Sequence, residues 1–232
     1  MKKYGILFLA GIILACSNKP KDLVVKTNIK NLKKGTVYLK RVVDSVLVTV
    51  DSVLVNGNAE FELYAELDEP DLFVLDLDKN SKEDERITFF ADKGIVEIQT
   101  TLKYFVADAK ISGSKQQKVL EDYEKLISRL NNRNLDLIKE RFEASKAGDT
   151  NVFNSINKKQ ISLLKNRYLQ TVNFAINHKD SEVAPYLALS EIYNANLNLL
   201  DTIHKSLTPN IKMSKYGKEL EKFIEERKQD EQ

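Results

Sequence analysis

The feature that most constrains this chain is a change of hydrophobic period near Gly113. Before it, apolar residues alternate with polar ones; after it, they recur at every third or fourth position. A period of two puts successive side chains on opposite faces of a strand, whereas a period of about 3.6 draws one stripe along a helix. One segment cannot satisfy both. The chain therefore reads as α+β, with an N-terminal antiparallel β-sandwich over residues 23–113 followed by a C-terminal helical bundle over residues 114–232.

The clearest strand is Ala59-Glu60-Phe61-Glu62-Leu63-Tyr64-Ala65-Glu66-Leu67, apolar at odd positions and mostly Glu at even ones. Val25/Thr27/Ile29 and Val37/Leu39 alternate in the same way. The continuous runs Phe73-Val74-Leu75 and Ile87-Thr88-Phe89-Phe90 suit central strands. Turn residues separate these segments, and Asn56-Gly57 is the strongest hairpin signal, because a type I′ turn needs positive φ at both central residues. Roughly seven to nine short strands at this spacing fit a small sandwich. The hexapeptide Val-Asp-Ser-Val-Leu-Val occurs at 43–48 and again at 50–55. The odd offset would turn the two copies to opposite faces of one strand, which a turn or bulge near Thr49–Asp51 would relieve, and the duplication reads as local coincidence in a β-rich stretch. Asp44 and Asp51 flank the uncharged window 46–50 and read as gatekeepers against aggregation.

In the second half Ser114 and Gln117 fit a capping box, and Val119, Leu120, Tyr123, Leu126, Ile127, Leu130, Leu137, Ile138 and Phe142 follow at helical spacing. Lys146 and Gly148 end a helix of about thirty residues. A second opens near Asp149 or Thr150 with Phe153, Ile156, Ile161, Leu164, Tyr168 and Val172 on its apolar stripe. A third opens at Asp180-Ser181 with Pro185 in its first turn, where the missing N–H costs little. A fourth holds Leu197, Leu200, Ile203 and Leu207 and stops before Pro209. The last starts near Ser214 and buries Tyr216, Leu220, Phe223 and Ile224.

Residues 1–15 have the shape of a signal peptide, with Lys2 and Lys3 followed by the uncharged stretch from Tyr4 to Ala15. Twelve helical residues reach roughly 18 Å, short of the ~30 Å of a bilayer core. The only cysteine, Cys16, ends this run, with Ile13 three residues before it and Ala15 immediately before it. That arrangement resembles the lipobox of bacterial lipoproteins. The resemblance implies cleavage between Ala15 and Cys16, diacylglycerol on the Cys16 thiol and acylation of the freed amine. Residues 16–22 then form a polar, lipidated tether, and the expected location is the cell envelope, at an outer membrane facing the periplasm or the cell surface. The expected membrane contact is through that N-terminal lipid anchor, which three acyl chains would make stable.

Composition excludes several kinds of chemistry. A net charge of +2 lacks the strongly basic stripe of a nucleic-acid binder. One cysteine allows neither an intrachain disulfide nor a CxxC pair. His178 and His204 have no second His at i+3 or i+4 and read as surface or helix-end residues, with Asp180 and Ser181 as caps. Asp76-x-Asp78-x-Asn80 begins like a calcium loop, but Ser81 stands for the needed Gly and Ile87 for the bidentate Glu, so it reads as a solvated acidic tip. No phosphate-binding glycine loop or nucleophile elbow occurs. No catalytic, metal-ligating or cofactor-binding residue is assigned, and no cofactor is expected.

Several modest elements stand in one order: Val50-Asp51-Ser52, Asn56-Gly57-Asn58 leading to Phe61, Pro70, Phe89-Phe90 with Asp92-Lys93-Gly94, and Ile111-Ser112-Gly113-Ser114. Asp180-Ser181 with Pro185-Tyr186, then Pro209 and Ser214-Lys215-Tyr216-Gly217, complete it. The order resembles the N-terminal region of envelope lipoproteins of Gram-negative bacteria, in which a β-rich domain of unknown function precedes a thioredoxin-like thiol-disulfide domain. The resemblance implies the fold and the envelope location. It does not carry oxidoreductase activity to this sequence, because the thioredoxin-like domain and its CxxC have no counterpart in these 232 residues. The expectation is a non-enzymatic lipoprotein that binds an envelope protein or a small ligand. The alternative is an accessory partner of a separate periplasmic thioredoxin-like oxidoreductase, acting in trans. Residues 17–113 carry 14 basic and 17 acidic side chains, and residues 114–232 carry 20 and 17. Such weak opposition is screened beyond about 8 Å, so the helices are expected to dock through apolar faces.

Overall fold

A computed structural model describes residues 22–43, 46–78 and 85–230. The leader, Ala15, Cys16 and the tether before Asp22 lie outside the described residues, as do Asp44, Asn80 and Ser81. Strand β1 (Leu23–Lys30) buries Leu23, Val25, Thr27 and Ile29 and exposes the residues between them more, as strand alternation requires. It is followed by β2 (Lys34–Val43), β3 (Val46–Asn56), β4 (Glu60–Ala65), β5 (Asp71–Asp76), β6 (Ile87–Ala91), β7 (Gly94–Thr101) and β8 (Lys110–Ser112). These form two four-stranded sheets, ordered β4-β1-β7-β8 and β3-β2-β5-β6.

The two sheets enclose one core in which Leu39, Leu63, Phe73, Phe89 and Ile98 are fully buried. Phe73 stacks on Phe89 at 6.1 Å between ring centroids. The expected sandwich is therefore present, but it is not antiparallel throughout, because β1 pairs with β7 in parallel. A parallel pair needs a long crossover. Here the chain between the two strands supplies it by building the rest of the sandwich.

Three local expectations change in the structure. Gly57 has the positive φ that its position suggested (93°), but Asn56-Gly57 closes no hairpin. β3 pairs with β2 in one sheet and β4 with β1 in the other, so this turn carries the chain across the sandwich, with the Gly57 N–H donating to the Lys33 carbonyl at 2.8 Å. Asp51 has a structural partner: its carboxylate accepts the Tyr64 N–H at 2.8 Å and ties β3 to β4 where no ladder joins them. Ile87-Thr88-Phe89-Phe90 belongs to an edge strand, not a central one. Its apolar run arises because Phe89 faces the sandwich core while Phe90 faces the helices. β3 also carries a bulge at the offset between the two hexapeptides: Leu39 pairs with Asp51 and Lys40 with Thr49, leaving Val50 as the extra residue.

The helices are α1 (Lys115–Lys146), α2 (Thr150–Asn177), α3 (Val183–Ser190), α4 (Leu197–Ser206), α5 (Pro209–Met213) and α6 (Lys215–Asp230). Ser114 caps α1, its hydroxyl accepting the Gln117 N–H at 3.0 Å. The Gln117 side chain does not close the box. Its carbonyl instead accepts the Phe90 N–H at 3.0 Å, satisfying a backbone donor on the sheet edge. Asp149 caps α2, and His178 is its C-cap, stacked on Phe174 at 4.0 Å. Helix α5 lies where the sequence reading has only a stop at Pro209. Pro at a first helical position is tolerated because that N–H has no helical partner.

Two joints hold sheet and helices together. At the first, Gly113 has φ 98°, and a Cβ there would stand 2.1 Å from the Ile95 carbonyl oxygen, so only glycine fits. Beside it Asp92 accepts the Ser114 hydroxyl at 2.7 Å and the Lys115 and Gln116 N–H groups at 2.6 and 3.1 Å, closing the α1 N-terminus from the β6–β7 turn. A carboxylate is favoured there by the helix dipole. The second joint is a buried cluster of Phe90, Leu120, Tyr123, Phe174, Leu187 and Tyr216. Phe90 meets the Tyr186 and Tyr216 rings edge-on at 5.1 and 5.7 Å.

Candidate functional site

The second joint opens into a cleft of about 810 Å³. Its walls come from β2, the β4–β5 turn, α3 and α6, and Leu67, Leu72, Tyr186 and Leu189 form its apolar part. The turn Glu69-Pro70-Asp71 brings two carboxylates to the start of β5, and Ser214 lets the chain enter α6 with Lys215 and Tyr216 facing them. The Lys215 ammonium donates to both oxygens of Asp71 at 2.8 and 3.0 Å, while the Tyr216 hydroxyl donates to the same carboxylate at 2.7 Å. The Lys215 backbone N–H donates to Glu69 at 3.1 Å, so the free N–H groups of α6 also meet a negative charge. Gly217 is required for this approach, because a Cβ there would lie 1.9 Å from the Ile211 carbonyl oxygen.

Burial first, and the Asp71 charge second, push the Tyr216 hydroxyl far above its ordinary value. A tyrosine so held is a permanent donor and no base. Behind it Glu182 is buried and accepts the Ser214 hydroxyl at 2.6 Å. Desolvation raises the Glu182 carboxyl to about 7, against the lowering effect of Ser214, and Glu69 and Asp71 add to the rise. The arrangement is thus a clamp of fixed donors and acceptors. Its exposed rim, with Lys222 and Glu219, offers charges of both signs to anything in the cleft.

Both halves of this clamp stand out in the sequence, at Pro70 and at Ser214-Lys215-Tyr216-Gly217, but their meeting does not. Nothing in local spacing connects positions 144 residues apart. The other sequence candidates stay apart from it. His178 is engaged at the end of α2, with Nδ1 2.9 Å from the Phe174 carbonyl oxygen, and His204 lies on α4. Ser181 accepts the Val183 N–H at 3.2 Å at the start of α3 and donates to Gln116. Asp76 is not solvated: it is fully buried, paired with Lys40 and with Arg86 at 3.3 Å. That pairing explains how a charge enters a strand otherwise covered on both sides. Among the described residues no group of three His, Cys, Asp or Glu side chains could hold a metal ion, and no helix is long and apolar enough to cross a membrane.

Residues 23–120 match the model of a domain of unknown function, DUF4369. The DUF4369 match takes in the whole sandwich, the Asp92 cap and the first turns of α1. It therefore contains Glu69 and Asp71 but not Lys215 and Tyr216, so the cleft is half inside the match and half beyond it. No curated protein matches the chain.

Proposed function

We propose that this protein is a lipid-anchored, non-catalytic binding module of the cell envelope, and that the cleft between the DUF4369 region and α6 holds its partner. The observation that carries the reading is the clamp: Asp71, Lys215 and Tyr216 are occupied with one another, and the cleft beside them presents apolar surface with charges at its rim. Such a site recognises by shape and charge. It lacks the free nucleophile beside a base that covalent chemistry requires. The anchor part of the proposal rests on Cys16, whose neighbours Ile13 and Ala15 have lipobox form. The resemblance to regions preceding thioredoxin-like domains supports an envelope protein as the partner, with a thiol-disulfide oxidoreductase acting in trans as the second candidate.

A photo-crosslinking residue at Leu189, inside the cleft, tests this in cells. The expected result is one dominant adduct that disappears when Glu219→Lys reverses a rim charge, together with acyl labelling that Cys16→Ser abolishes. An enzymatic turnover lost on changing a single polar residue would overturn the binding reading. A Cys16 that takes no label would overturn the anchor.

A further inference from the structure

We propose that the outer half of the α1–α2 hairpin lies on an anionic phospholipid surface. There, among the described residues, α1 and α2 pack on each other alone, through Leu137, Ala144 and Ile156. The register is set by Arg141, which donates to Gln160 at 3.0 Å. Turning about 100° from that contact on either helix reaches a second apolar stripe, made of Leu135, Ile138 and Phe142 on α1 and Ile161 and Leu164 on α2. Because the helices run antiparallel, the same turn brings both stripes to one side. The opposite side is the groove lined by Arg133, Lys159 and Asn166. All five apolar side chains are exposed, by 41 to 64 %.

Charge identifies what covers them. Lys139 and Lys146 border the face on α1, and Lys158 and Lys165 on α2, all exposed and none in an ion pair among the described residues. Lys146 sits over the Phe142 ring at 5.0 Å. No Asp or Glu occurs anywhere in α2. On α1, Asp136 and Glu140 are drawn to Arg133 toward the other side, and Glu143 is turned about 100° beyond Phe142. A second copy of this chain would set lysine against lysine around the seam. Five side chains are also far fewer than the 20–30 residues per partner of a typical stable interface. A flat apolar face edged by lysines fits the boundary of an anionic bilayer, where the stems lie along the acyl region and the ammonium groups reach the phosphates.

The fold places the start of α1 near the expected anchor, while the exposed face begins about 30 Å further along that helix. The Asp22 carbonyl accepts the Gly94 N–H at 2.8 Å, two residues from Asp92, which caps α1. The tether exit and the start of α1 are therefore neighbours. A tether of about six residues spans no more than roughly 20 Å. For the nearness of a bilayer the proposal rests on the lipid-anchored reading; the face itself does not.

The test separates the two. The chain from residue 16 carrying Cys16→Ser, with no acyl group, is mixed with vesicles of phosphatidylglycerol and phosphatidylcholine or of phosphatidylcholine alone. Since the protein has no tryptophan, Phe142→Trp adds a single reporter. The expected result is a blue shift on anionic vesicles only, reversed by salt, and absent when the tryptophan stands instead at exposed Tyr193. Lys139→Gln with Lys158→Gln is expected to weaken partitioning about 30-fold, and Ile138→Ser with Ile161→Ser by at least about tenfold, with unchanged unfolding midpoints. The proposal is overturned by no binding to anionic vesicles, by an equal shift at Tyr193, by a dimer that the serine pair dissolves, or by capture of an acidic protein in place of lipid. Acyl labelling at Cys16 reads the anchor independently, so either result can fail without the other.

Discussion

The two ends of α1 carry the same apolar spacing, yet one end is core and the other is surface. Near its start Leu120, Tyr123 and Ile127 are buried under Phe90, Phe174 and Leu187. Two to four turns further on, Leu135, Ile138 and Phe142 are exposed, while Leu137 and Ala144 turn inward against α2. The difference is the number of neighbours the tertiary fold provides. Among the described residues, a sheet edge and three other helices surround α1 at the near end, whereas one helix accompanies it at the far end. Apolar periodicity therefore identifies a helix that can be buried, and says nothing of how many of its faces will be.

Four substitutions would break or sharpen this contrast. Phe90→Ala should have the largest effect, about 3–5 kcal/mol, since the ring is fully buried between sheet and helices. Urea unfolding followed on both halves would show it, and a loss no larger than that of Phe142→Ala would erase the contrast.

Glu182→Gln comes next, and its effect depends on pH. The folded-state carboxyl is raised above its ordinary 4.5 to about 7. The folded protein therefore binds the proton more tightly, and stability falls as pH rises from about 4.5 to 7, then levels off. Glutamine cannot ionise and still accepts the Ser214 hydroxyl. At pH 8 it should raise stability by up to about 3 kcal/mol, with little change at pH 4. A wild-type unfolding midpoint that stays flat between those values would remove the basis for this expectation.

Asp149→Ala removes the α2 cap, in which the carboxylate accepts the Val152 N–H at 2.9 Å. About 1 kcal/mol should be lost, confined to the outer hairpin and visible as faster amide exchange there without change around Tyr216. Phe142→Ala should be the mildest, within about 0.5 kcal/mol of wild type in solution. Calorimetry of the two variants would show whether the outer hairpin unfolds with the rest or separately.

Much of the fold was legible because it is local. Alternation at Leu23–Lys30 and the capping residues Ser114 and Asp149 each constrain structure within a few residues. Where the reading went astray, a distant partner intervened. Asn56-Gly57 has the conformation of a hairpin turn, but its flanking strands found other partners in opposite sheets. Gln117 has the spacing of a capping box, but the Phe90 N–H had no ladder partner and took its carbonyl. Of the candidate site, the two contributing segments stood out as motifs, while the Asp71–Lys215–Tyr216 contact did not.

The sequence by itself determined the α+β order of this protein and the N-caps of its two longest helices, because each follows from backbone sterics and side-chain period over a short stretch. Only the tertiary structure decided which apolar stripes became core, that Asp76 is buried in an ion pair, and that a turn before β5 meets the start of α6 to form a cleft. Those outcomes depend on which surfaces remain to be covered once the elements exist. Desolvation and shape decide that competition among residues far apart in the chain.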